Sequence, residues 1–345
     1  MSKIPSSPSA QYTNHQHQVK KVSDLYDGID TAKSYLQQYG MEDNTEFNDR
    51  QSIATLDNFV FRTVEDIQNI IFRKPLDLSS VKNKTVLDYC EKIDFTNNLN
   101  EFGKQVLSNR IRDGFTFILV DSVKTEDQDL TLADQAALGI RPYFVNVLRK
   151  NVIGLKTDKF GNYTQVRIKE SYEVEDGYDT EIKEQIKVWN IGSIEIWRDQ
   201  EIYSLEDTKL SVIPIIKVGN NDIPPLYDLA KINIQHMNRD SEVSNYSRIG
   251  GAAFLAVFGA NAQEGEVKTV GMSDGMQFSD KSTGDVKWIE MEGRNYNMLK
   301  DRILYHEEQM KRIAISFTTS QDNKTATQVN KESMTAESKA IDYAT

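Results

Sequence analysis

Residues able to carry out chemistry are few in this chain. Its histidines are His15, His17, His236 and His306, and Cys90 is the single cysteine among 345 residues. His15 and His17, in "HQH", have a spacing that could hold a metal ion weakly, but their polar N-terminal surroundings read as a solvated tail. His306 falls on the apolar side of a helical pattern. That position suits an interface histidine with satisfied hydrogen bonds better than a general acid or base. Acidic pairs recur in "VEDG", "HEE" and "TEDQD", and recurrence of this kind describes a solvated face. "TEDQDLTLADQ" offers oxygen ligands but lacks the glycine and the spacing of an EF-hand calcium loop. There is no phosphate-binding or dinucleotide glycine loop, no zinc-protease helix and no nucleophile elbow. One cysteine allows no intrachain disulfide and no cysteine-based zinc site, which suits a reducing compartment. Cys90, in "TVLDYCEKI", reads as a small core side chain. No catalytic residue, metal or cofactor is expected, and the chain reads as a protein other than an enzyme.

Charge narrows the partners. Asp and Glu outnumber Lys and Arg by 52 to 41, a formal charge of −11. Tight grip on nucleic acid needs concentrated Lys and Arg to displace counterions, so the balance opposes it. It remains compatible with a surface that DNA slides past, where adhesion would be a fault. Hydrophobic residues make up 39% and charged residues 27%, the composition of a folded chain with a polar surface. The N-terminal stretch lacks the apolar core of a signal peptide, no segment approaches the ~20 apolar residues of a membrane span, and no membrane partner is expected.

These sparse groups must be positioned by a mixed set of elements. Residues 1–20 are polar and read as a flexible arm. Over "NDRQSIATLDNFVFRTVEDIQNIIFRKP", Ile53, Leu56, Val60, Val64, Ile67 and Ile71 step by three and four, which predicts one long helix ended by Pro75. A second helix is predicted over 98–112, with Leu99, Phe102, Val106 and Ile111 on one face and Asp113-Gly114 as its stop. "FTFILVDS" reads as a buried strand. "RPYFVNVLR" and the alternating runs after it predict an antiparallel meander of five to seven strands, with "EDGYDT" at a hairpin tip. Residues 21–221 thus form an α+β body.

Pro224-Pro225 then opens a helix over 222–249. Its apolar seam, Leu226, Ala230, Ile234 and Met237, fades into "NRDSEVSNYSR", which suggests a far end facing water. Residues 250–292 read as a small β-rich module. A second long helix covers 293–317, seamed by Tyr296, Leu299, Ile303, His306, Met310, Ile313 and Phe317. A polar loop follows at 318–326, and 327–345 starts a further helix that the chain is expected to continue. Helix, β-module and helix form either a projecting stalk or a lid on the body, and the pattern alone admits both. As a stalk, the seams imply neighbours, most simply copies of the same chain.

Several blocks resemble the portal proteins of tailed bacteriophages and prophages, within a group labelled as a domain of unknown function. These are "TVEDIQNIIFRKP", "FGKQVLSNRIRDGFTFILVD", "ADQAALGIRPYFVNVLRKNVIGLK", "IPPLYDLAKINIQHMNRDSEVSNYSRIGGAAFLAVFG" and "LKDRILYHEEQMKRIAISF". They span most of 50–317, and the "RPY" and "PPLYDLAKINIQH" blocks are the most specific. The resemblance implies an α+β wing, a two-helix stem and a clip over 250–292. It implies a homo-oligomeric ring, usually a dodecamer, at one capsid vertex of the virion, made in the bacterial host cytoplasm. Implied partners are double-stranded DNA passing without sequence specificity, the terminase large subunit, the head–tail connector or adaptor, and capsid and scaffold proteins.

On that footing Lys231, Arg239, Lys300, Lys311 and Arg312 are candidates to face DNA. Gln321, Asp322, Asn323 and Lys324 would lie in a tunnel loop, and Tyr296, Leu299, Ile303, Met310 and Ile313 in an oligomer seam. Each cation alone is equally an ordinary solvated helix charge. The alternative is a cytosolic α+β metal-dependent nucleic-acid-processing enzyme with the long helices as a lid. An adaptor that binds one partner through the β-rich module is a third reading.

Overall fold

The computed structural model describes residues 5–40, 42–123, 131, 134, 138–250, 254–258, 285–289 and 294–318. The fold is α+β, as the pattern predicts. The chain divides into two compact units. One holds 1–31, 58–231 and 311–345, and the other holds 32–57 and 232–310.

In the first unit, β1 (Thr116–Ser122) is the centre of a three-stranded antiparallel sheet, between β2 (Pro142–Val147) and β8 (Ile215–Val218). Its continuous apolar run has a plain cause. Phe117 and Leu119 join one buried cluster, with Val147, Val166, Ile168, Trp189 and Ile215. Ile118, between them, packs on a second cluster with Phe102 and Val106 of α7 (Leu99–Asp113). Side chains alternate across a strand, so a strand covered on both faces must be apolar at every step.

The second sheet is a meander. Strands β3 (Val152–Thr157), β4 (Tyr163–Asp176), β5 (Asp179–Asn190), β6 (Ser193–Arg198) and β7 (Glu201–Asp207) pair in chain order. Gly177 and Tyr178 make the expected tight turn, with Asp176 opposite Asp179. One face supplies Val166, Ile168, Trp189 and Ile194 to the core, while Ile182, Ile202 and Leu205 are exposed. The predicted strands are therefore shared between two sheets.

Helix α7 ends where expected, on Gly114 at φ +88°. A Cβ there would meet the Asn221 carbonyl oxygen at 2.1 Å, so the position requires glycine on two counts. Helices α2 (Gln16–Asp27) and α5 (Phe59–Ile71) pack with α7, burying Val19, Val22, Leu25, Val60, Val64 and Ile67. The flexible arm predicted over 1–20 is thus corrected for its described part. Residues 10–13 form α1 (Ala10–Thr13), and the Ser9 amide bonds to the Ile153 carbonyl at 2.8 Å. The polar composition hid Val19 and its partners, which are few but fully placed.

The long helix predicted across residues 48–75 is two helices, α4 (Asn44–Ile53) and α5. The chain between them, 54–58, is not helical. Asn58 caps α5, its Oδ1 accepting from the Phe61 amide at 2.9 Å. Asp43 and Glu46 form a reciprocal capping box at the start of α4. The apolar spacing runs across the break because it tracks burial, and caps decide where a helix starts. Between α5 and α7 lies α6 (Lys84–Glu91), and Cys90 on it is half-buried, not a core residue.

The second unit contains a 3-10 turn (Lys33–Tyr35), α4 and most of two long helices. These are α8 (Tyr227–Gly250) and α9 (Arg294–Thr318), with α3 (Ile29–Ala32) preceding the 3-10 turn. Strands β9 (Phe254–Phe258) and β10 (Asp285–Ile289) pair antiparallel between the two helices in sequence. They are the described part of the β-rich module expected over 250–292. The loop 318–326 with Gln321, Asp322, Asn323 and Lys324, and the helix expected over 327–345, lie outside the described residues. No helix among the described residues is long and apolar enough to cross a membrane.

Candidate functional site in the paired long helices

The second unit brings α8 and α9 side by side. His236 on α8 lies 3.9 Å from Glu307 on α9, and Tyr246 stacks near Tyr296 at 6.1 Å between ring centroids. Moving ten residues up α8 moves eleven down α9, so the helices are antiparallel.

The polar stretch of α8 is buried at its start and exposed only at Ser247 and Arg248. Asn233, His236, Asn238 and Ser241 are buried. The expectation that "NRDSEVSNYSR" turns to water fits Ser247 and Arg248 and is corrected for Asn238 and Ser241 by what segment 32–57 does. Asn238 accepts from the Gln37 amide at 2.9 Å and donates to the Tyr35 carbonyl at 3.2 Å. Asn233 donates to the Asp57 carbonyl at 2.9 Å, and Thr55 donates to Asp240 at 2.6 Å. At the centre is Arg50, 2% exposed. It donates through Nε and Nη2 to both carboxylate oxygens of Glu42 at 2.7 and 2.8 Å, and through Nη1 to Ser241 at 2.9 Å. Its guanidinium also lies over the rings of Tyr39 and Phe47. The bonds to Arg50 hold the Glu42 carboxyl below its usual range. Burial, then its bond to Glu242, pushes the Tyr39 hydroxyl up to about 12.

Sequence reasoning missed this network. The apolar seam along α8 gives way after Met237 to hydrogen bonds at Asn238, Asp240 and Ser241 before the helix reaches exposed Ser247 and Arg248. The polar residues of α8 bond to partners some two hundred positions away, and spacing within a helix cannot reveal that. The nearest available signal was the capping box at Asp43 and Glu46, which marks a separate helix carrying Arg50.

The two central histidines are unusual. His236 and His306 are 5% and 2% exposed, and neither ring nitrogen of either side chain has a hydrogen-bond partner among the described residues. The expectation of a satisfied histidine at 306 is therefore corrected. Burial, then the charge of Arg302 and the neighbouring His236 and Arg239, holds His306 below its ordinary range. No group of three His, Cys, Asp or Glu side chains among the described residues is placed to hold a metal ion.

The cations singled out from the sequence behave differently from one another. Lys231 is exposed and pairs with Asp228 at 2.7 Å on its own helix. Arg239 spans both oxygens of Glu242 at 2.7 and 2.8 Å. Lys300, Lys311 and Arg312 are exposed. Within the seam of α9, Met310 is fully buried inside the single chain, which removes it from any contact between chains. Tyr296, Leu299, Ile303 and Ile313 are half-buried. A concave strip of α9, lined by Met298, Leu299 and Tyr305, adjoins Arg239 of α8. Met298, Leu304 and Tyr305 are 66%, 49% and 47% exposed.

Comparison with known proteins adds a family segment. Residues 225–342, about a third of the chain, match a family described as a domain of unknown function (DUF4055). The match begins at the second proline of the pair before α8. No curated protein matches the chain. Solved structures similar to it include the neck of an empty GTA particle computed with C6 symmetry, at 12% identity and a TM-score of 0.43, over 80% of this chain and 72% of the other. The neck of a native GTA particle computed with C12 symmetry is 12% identical, with a TM-score of 0.42, over 80% and 71% of the two chains. The virion of a native gene transfer agent particle is 12% identical, with a TM-score of 0.41, over 79% and 70%. At these scores the likenesses carry no argument about what this chain does.

Proposed function

We propose that this chain is a structural, non-enzymatic subunit of a phage or prophage portal ring. In this reading the α+β unit is the wing, α8 and α9 are the stem, and the segment holding β9 and β10 is the clip. The observation that carries it is the helix pair. Two antiparallel helices of 24 and 25 residues bracket a β-pair. His236 approaches Glu307 and Tyr246 approaches Tyr296 across the pair, while Met298, Leu304 and Tyr305 stay open on α9. A helix that buries Met310 and His306 within the chain and still leaves an apolar strip open is suited to a further neighbour, and a second copy is the simplest.

A ring built on this stem would conduct double-stranded DNA at the capsid vertex and present the clip to the terminase and, later, to the head–tail connector. Lys231 and Arg239 already have carboxylate partners, and the chain is acidic overall. A channel lined this way would attract the phosphate backbone weakly, which favours sliding over binding.

The test is the mass of the full chain in solution by native mass spectrometry and negative-stain microscopy. The expected result is a closed ring near the mass of a dodecamer of the 39.4 kDa chain. A monomer at every concentration, with no rings on the grid, would overturn the proposal.

A further inference from the structure

Away from the long helices, the first unit contains a cavity of about 110 Å³ beneath the N-terminal segment. Three contacts hold that segment as a cover. Arg167 of β4 donates to the carbonyls of Pro5 and Ser7 at 2.8 and 2.7 Å, the Ser9 amide bonds to Ile153, and the Tyr12 hydroxyl bonds to the Lys150 carbonyl at 2.9 Å. Two cations line the cavity, Arg149 and Lys217. Both lie over one ring, that of Phe115, at 4.2 and 4.0 Å from its centroid.

Neither cation forms an ion pair with a described residue, and the carboxylates that attract them, Asp222 for both and Asp113 for Arg149, act beyond ion-pair distance. Arg149 is 6% exposed, and its hydrogen bonds run from Nη1 alone to the neutral carbonyls of Asp113 and Asp222. Lys217 is half-buried and makes no hydrogen bond or ion pair to any described residue. The Asp222 carboxylate belongs to the same lining but forms an ion pair with neither. Ser9 Oγ accepts from the Tyr12 amide, which leaves its own hydroxyl proton free to donate into the cavity. Holding two cations close together with one distant carboxylate and no direct ion pair is costly, and charge-assisted bonds to an oxyanion relieve that cost.

We propose that this cavity binds one small tetrahedral oxyanion of the phosphate class, held by Lys217, Arg149 and the Ser9 hydroxyl, and that the bound anion fastens the N-terminal cover. The volume suits a single such ion. A phosphodiester within a duplex would bring flanking nucleotides that the covered cavity cannot take, so the anion is free phosphate and not DNA backbone.

The experiment is calorimetric titration of the full chain with inorganic phosphate at constant ionic strength, with chloride as the control and a short DNA duplex as competitor. Hydrogen exchange over residues 9–19 is followed in parallel. Saturable binding is expected, with slower exchange in that segment. Lys217→Gln should weaken it by about tenfold or more, while Lys217→Arg keeps it. In phosphate-free buffer Lys217→Gln should be no less stable than the parent, since it removes a charge that burial and the neighbouring Arg149 disfavour. Four results would overturn the assignment: phosphate acting no differently from chloride, equal binding by Lys217→Gln, a less stable Lys217→Gln without phosphate, or displacement of phosphate by the duplex.

Discussion

Arg50 shows how much one side chain can organise here. Its guanidinium joins α4, the Gln37 backbone and α8 through charged and neutral acceptors, and removing it strips Glu42 of its charged donor and leaves it the Tyr39 amide, at 3.2 Å. Arg50→Ala should destabilise the second unit by about 3–5 kcal/mol, read by chemical denaturation. A wild-type-like midpoint would show that water replaces the guanidinium at no cost. Glu42 has a depressed carboxyl, so its stabilising contribution is present above the ordinary carboxylate range and is lost as pH falls through the folded value. His306 adds a second acid-side loss. The folded state keeps it neutral against Arg302, Arg239 and His236, so the unfolded state takes up a proton first as pH falls below about 6.5. Stability should therefore decline from about pH 7 towards 5, and His306→Gln should flatten that decline while sparing the Glu42 limb at lower pH. An unchanged slope in His306→Gln would place the titration elsewhere.

Helix boundaries and strand neighbours set the next level of organisation. Asn58 both caps α5 and donates through Nδ2 to the Leu25 carbonyl at 2.6 Å, tying α5 to α2. Asn58→Ala should cost about 1–2 kcal/mol in denaturant unfolding, whereas a substitution in a continuous helix would cost little. Gly154 of β3 is constrained differently. A Cβ there would lie 2.3 Å from the Arg167 guanidinium, the group that holds Pro5 and Ser7. Gly154→Ala should release the N-terminal segment, seen as faster hydrogen exchange over residues 9–19 while the β4–β5 hairpin stays protected. Unchanged exchange would mean that Arg167 does not anchor the cover.

The molecule as a whole is argued from α9. If its open apolar residues are a contact between copies, Met298→Glu with Tyr305→Glu should abolish rings in native mass spectra. The melting temperature of the dissociated chain should be unchanged, because both side chains are exposed within one chain. Rings that persist in the double variant would move the subunit contact to another face. Lys300→Glu alone should leave assembly intact, which separates loss of a charge from loss of the apolar strip.

Local pattern settles a large part of this protein. Burial on both faces made Phe117 to Val120 of β1 an unbroken apolar run, the Asp-Gly step marked the β4–β5 turn, and the double proline marked the start of α8. In each case the information lies in neighbouring residues, through backbone sterics and side-chain period. The residues of α8 beyond Met237 are the opposite case. Their polarity reads as a solvated end, yet Asn238 and Ser241 are buried because Gln37, Tyr35 and Arg50 satisfy them. The N-terminal stretch likewise reads as loose, yet three hydrogen-bonding anchors on residues far along the chain dock it. Hydrogen bonds between distant segments leave no period in a sequence. Only the tertiary structure decides whether a polar helix face meets water, a partner or its own chain.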